Sequence, residues 1–219
     1  MNDVVHVSLA AGAEQLQRLK ALQQAFAEVC NALAPIVQQT RCWNRVGLHH
    51  LAYRQLRERF PKVGSQMVCN AIYSVSRSCR LVYQHASSPF NVVRAPEAPL
   101  PLLRFLPSAP VYFDRHTLSL KDRRLSMFTL DGRMRFLTDL SEADLVRFNT
   151  QKLREIVLMQ IGETYRLSFF FSEDGGDVCA GGDGVLPEYL LVHPADEVEA
   201  LVSPGMSSHG AELQTVGLI

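Results

Sequence analysis

Six prolines fall within the 22 residues from Pro89 to Pro110. Proline fixes φ and has no N–H, so this stretch can be neither a helix nor a central strand. The chain is thereby divided into two parts that must form their regular structure differently. Before the prolines, apolar residues recur at three- and four-residue steps. After them, short apolar runs alternate and are bounded by turn residues. Helices in the first part and strands in the second predict an α+β chain.

In the first part, Val4 to Leu9 alternates and reads as a short strand. A helix over about 14–38 follows, with Leu16, Leu19, Leu22, Phe26, Val29, Leu33 and Ile36 on one stripe. Pro35 is expected to kink this helix or end it early. A second helix, about 48–57, places Leu48, Leu51, Ala52 and Leu56 inward and Arg54, Arg57 and Arg59 outward, and Pro61 ends it. The third, 65–84, begins at Ser65 as N-cap. It carries an apolar stripe of Val68, Ala71, Ile72, Val75, Cys79 and Val82. Its other side holds Gln66, Asn70, Tyr73, Arg77, Arg80 and Gln84, with no acid. Amides, a phenol ring and guanidiniums can pair with base edges, stack on bases and neutralise phosphates. An ordinary surface helix fits the same pattern equally well.

In the second part, strands are predicted at about 102–106, 111–113, 117–120, 124–129 and 134–137. Leu130-Asp131-Gly132 is a hairpin turn. Ser141 caps a short helix to Phe148, with Asp144 near its positive end. Two longer strands follow, about 155–161 and 164–172. Short strands with tight turns suggest a small antiparallel barrel or sandwich. The expected organisation is a three-helix lobe with a leading strand over 1–88, the strands over 89–172, and a tail over 173–219. The tail opens on a Gly- and Asp-rich break expected to be flexible, with a short helix near 194–202.

The formal net charge is +0, but its distribution is uneven. Residues 41–154 hold 19 Lys and Arg against 8 Asp and Glu, a net of +11. Residues 155–219 hold one Arg against 11 acids, a net of −10, and the first forty residues carry −1. A basic body with an acidic tail predicts polyanion binding that weakens with salt. There is no leader and no apolar run of about eighteen residues, so no membrane association and a cytoplasmic, nucleoid-associated location are expected. The five cysteines form no CxxC pair, which argues for buried thiols in a reducing compartment and against a zinc site. No phosphate loop, dinucleotide fingerprint or nucleophile elbow occurs, so no cofactor and no catalytic residue is expected. His49 and His50 are adjacent on a helix and point in different directions, which suits packing or phosphate contact better than a metal. Trp43, between Arg41 and Arg45, could stack on a base or anchor the core.

Four pieces of the chain, in order, resemble the N-terminal half of TnpB, the RNA-guided nuclease of small insertion sequences, a family related to type V CRISPR effectors. They are VVHVSLAAGAEQLQRLKALQQAFAEVCNALA at 4–34, LHHLAYRQLRERFPKVGSQMVCNAIYSVSRSCR at 48–80, VYFDRHTLSLKDRRLSMFTLDGRMRFLT at 111–138, and QKLREIVLMQIGETYRLSFFFS at 151–172. The resemblance implies a helical recognition lobe and an oligonucleotide-binding-like barrel, the wedge. Together these would hold a structured guide RNA and read a short motif in double-stranded DNA. It places Gln66, Asn70, Tyr73 and Arg77 towards that DNA, with Tyr53, Arg54 and Arg57 beside them. Arg115, Arg123, Arg124 and Arg133 would face RNA or phosphate, and Lys62 and Arg80 complete the expected set. The family continues into a RuvC nuclease, whose separated carboxylates hold two metal ions. Only 47 residues follow Ser172 here, and Asp174-Gly175-Gly176 reads as a linker. Binding without cleavage is therefore expected, with a nuclease or transposase subunit acting in trans as the alternative. A protein-interaction module blocked by its own acidic tail is the third reading.

Overall fold

The computed structural model describes residues 3–121, 123–172 and 186–197. The first helix, α1 (Ala13–Thr40), does not end at Pro35 but continues past it. A proline inside a helix costs about 3 kcal/mol. Burial of Leu33, Ala34 and Val37 around it offsets that cost. The helix stops at Arg41, whose φ of 53° is left-handed and whose N–H returns to the Val37 carbonyl at 2.8 Å.

Asn44 caps α2 (Arg45–Arg59), its side chain accepting from the Val46 and Gly47 N–H groups. Leu48, Ala52 and Leu56 are buried as expected, but Leu51 is 52% exposed. Arg57 turns back to donate to the Val63 carbonyl instead of facing solvent. The cap of α3 (Ser65–Gln84) is Gly64, not Ser65. All six residues of the α3 apolar stripe are buried. The helix is also buried well beyond that stripe, because Asn70, Ser74, Ser76, Ser78 and Tyr83 are buried too. Only Ser65, Arg80 and Gln84 are exposed. A helix this enclosed lies in the middle of the fold. It packs on α1 and α2 on one side and on a strand on the other.

The proline segment wraps over α1 and α3. Gln38 donates to the Leu100 carbonyl at 2.9 Å, Arg41 to those of Pro96 and Ala98, and Tyr83 to that of Pro101 at 2.8 Å. The described strands form three antiparallel sheets. The first is ordered β1 (Asp3–Leu9), β8 (Thr164–Ser172), β7 (Lys152–Ile161) and β3 (Val111–Phe113). The second pairs β2 (Leu102–Phe105) with β9 (Leu190–His193). The third is a meander of β4 (Leu118–Lys121), β5 (Arg124–Thr129) and β6 (Gly132–Leu137). Among the described residues none of these sheets closes into the expected barrel. The leading strand β1 lies in register with β8, 162 residues away at His6 and Ser168.

Between β6 and β7, α4 (Glu142–Thr150) carries the predicted cap at Ser141. Its Phe148 packs edge-on against Phe169 and Phe171. The strand β9 was not expected, since it lies in the predicted tail. It forms because Leu190 fills the core opposite Phe105. One apolar core joins helices and sheets, from Val5 through Leu19, Val68 and Met127 to Phe171. Of the expected tail, residues 173–185 and 198–219 lie outside the described residues. Among the described residues no helix is long and apolar enough to cross a membrane.

Candidate nucleic-acid interface

The polar face of α3 is not a free surface. Gln66 donates to Asp114 Oδ2 at 2.5 Å. The Tyr73 hydroxyl donates to Glu155 Oε1 at 2.9 Å, and Arg77 forms an ion pair with the same carboxylate. The two charged side chains are only 15% and 11% exposed. Tyr112 on β3 completes the seam, edge-on to Tyr73 and beneath the Arg77 guanidinium. Asn70 is buried, with its amide 3.9 Å from Met67 Sδ. Gln66, Asn70, Tyr73 and Arg77, expected to face DNA, thus lie against Asp114, Met67 and Glu155 in this fold. The helix has no acid because β7 and the loop after β3 supply two. A buried guanidinium must be paired, and the sheet provides the partner.

The charges in this seam reinforce one another. Burial raises the Tyr73 hydroxyl above its ordinary pKa, and the Glu155 charge adds to the effect. Burial alone would lower the Arg77 value, but Tyr112 and Glu155 outweigh it, so the guanidinium stays charged.

The other expected residues are more accessible. On α2, Tyr53 stacks on the His49 ring at 4.5 Å. Arg54 is exposed and pairs with Glu58 one turn on, a contact worth little at the surface. Lys62 and Arg80 are exposed, as is Arg115 at the tip of a turn that Asp114 ties to His116 and Thr117. Trp43 is an anchor, packed edge-on against Tyr83 at 5.3 Å. Arg123 adopts a left-handed φ of 60° in the β4–β5 turn and pairs with Glu142.

The meander β4–β5–β6 supplies a different surface. Its strands read LSLK, RLSMFT and GRMRFL, with no acid. Strand alternation turns Leu118, Leu125, Met127, Met134 and Phe136 into the core. The opposite face then presents Lys121, Arg124, Arg133 and Arg135, all exposed, with Phe128 between them. Register sets Lys121 directly across from Arg124, and Phe128 across from Arg133. Like charges opposite each other destabilise a sheet unless an anion neutralises them. Among the described residues Lys121, Arg124 and Arg135 pair with no acid.

Arg124 and Arg133 were expected here from the resemblance. Lys121, Phe128 and Arg135 were missed, although alternation either side of the Asp131-Gly132 turn places Arg124, Phe128, Arg133 and Arg135 on one face, and pairing of β4 with β5 adds Lys121. Gly132 alone takes the positive φ of that turn, at 92°. Among the described residues no group of three or more His, Cys, Asp or Glu could hold a metal. No protein-family model matches this chain, and no curated protein sequence matches it.

Proposed function

We propose that this chain is a nucleic-acid-binding protein of TnpB-like type, which holds a structured guide RNA and recognises a short motif in double-stranded DNA without cutting it. The observation that carries the reading is the acid-free outer face of β4–β5–β6, with its four exposed cations. Such a face neutralises phosphates and releases their counterions, which is the main source of affinity for nucleic acid. The order of the four resembling pieces supports the family, and the three-helix unit and the sheets stand in for its recognition lobe and wedge. On this reading the exposed side of α2, with Tyr53 and Arg54, lies towards DNA, and α3 supports it from behind. Sequence beyond the short motif is read by guide pairing. A nuclease or transposase subunit acting in trans would supply cleavage.

Gel-shift titration of the purified chain against structured RNA and duplex DNA, at modest salt, tests the proposal. Binding that weakens as salt rises is expected. No binding to either would end the proposal. Sequencing of RNA that co-purifies with the expressed chain identifies the guide.

A further inference from the structure

Phe128 lies mid-face on the meander with 40% of its surface exposed, and Leu137, on the same face, is 77% exposed. A face that served only to hold phosphates would gain nothing from apolar side chains left in water. Phe128 is also not bare. The Arg133 guanidinium lies over its ring, 4.1 Å from the centroid. Three hydrogen bonds hold the guanidinium there: Nη1 donates to the Ser126 carbonyl at 3.3 Å and Oγ at 3.1 Å, and Nη2 to the His116 carbonyl at 3.4 Å. Arg133 thus spends its donors on the protein and keeps a planar cation fixed against an aromatic ring.

Planar guanidiniums and aromatic rings are the surfaces on which splayed-out bases stack. In a duplex the base faces are covered by their neighbours, and a protein meets only edges, sugars and phosphates. A stacking surface on an open sheet face therefore suits an unpaired base. We infer that Phe128 and Arg133 form a platform for one unpaired base of an RNA single strand, with Lys121, Arg124 and Arg135 along its phosphates. Successive outward-facing rows on these strands are about 6.8 Å apart, so the cations follow the platform along the strand direction. This inference rests on the proposed RNA binding and names the form of RNA that this face takes.

The test uses an unstructured RNA oligomer carrying one fluorescent adenine analogue, alone and annealed to its complement. The single strand should bind more tightly than the duplex, with quenching of the analogue as it stacks. Phe128→Ala should weaken single-strand binding roughly five- to hundredfold and remove the quenching. Arg133→Lys keeps the charge and loses the plane, so it should do the same while leaving the salt dependence unchanged. Both side chains are on the surface, so neither change threatens the fold. Equal affinity for strand and duplex, with both variants binding as the wild type, would overturn the platform and leave RNA binding intact. Failure of the wild type to bind either form would instead remove the proposed function itself.

Discussion

Replacement of Arg77 by alanine separates a structural from a recognition role for the α3 polar face. The ion pair with Glu155 is 15% and 11% exposed at its two side chains, and Tyr73 donates to the same carboxylate. Breaking a buried pair by deleting one partner costs about 3–5 kcal/mol, because the other charge stays buried. The remaining solvent exposure puts Arg77→Ala near the lower end, at about 3 kcal/mol. For a chain of this size each kcal/mol moves the midpoint by about 2–4 °C, so Tm should fall by roughly 6–12 °C. Replacing Arg77 and Glu155 together by methionine should recover most of the loss, since paired apolar groups leave no orphan charge. Thermal unfolding followed by circular dichroism reads the stability. A gel shift well below the midpoint reads the binding, which should match the wild type. An Arg77→Ala protein that melts like the wild type but binds nucleic acid more weakly would refute the reasoning.

If Lys121, Arg124 and Arg135 each meet a phosphate of a single strand, the log–log salt slope should be about −2.1. Lys121→Gln with Arg135→Gln should lower it to about −0.7, and an unchanged slope would place the ligand elsewhere. The buried Gln23 amide donates to the Ser108 and Ala109 carbonyls at 2.9 and 3.0 Å and accepts from Tyr165 at 3.1 Å. Gln23→Leu orphans all three, so the urea midpoint should fall by the equivalent of about 3 kcal/mol with no change in m. Burial raises Tyr73, Tyr112 and Tyr165 above the ordinary tyrosine value. The folded state then keeps protons that the unfolded chain loses from about pH 10, so stability is whole below that pH and declines above it. Phenolate absorbance from these residues should grow in only with unfolding, and early titration in the folded protein would contradict their burial.

Much of this fold is legible along the chain because its signals are local. Alternation placed β5 and β6 to within two residues, and the Ser141 cap and the Asp131-Gly132 turn depend on neighbours only. Pro35 misleads, because its cost is set against burial of Leu33 and Val37, which no local rule weighs. Strand β9 is hidden for a similar reason. Four residues in an acidic segment become a strand only because β2 offers an edge and Phe105 a neighbour.

The candidate interface divides along the same line. The sequence by itself determines that α3 has an acid-free polar face and that the hairpin gathers cations on one side. Period and charge are properties of residues a few positions apart. Which of the two faces meets solvent was decided by tertiary structure. Glu155 reaches Tyr73 and Arg77 across 82 and 78 residues and closes the α3 face. Within the meander no strand supplies a comparable acid, so its cations and Phe128 remain outside. A buried charge must find a partner wherever the chain can bring one, and only the folded chain shows from how far away it came.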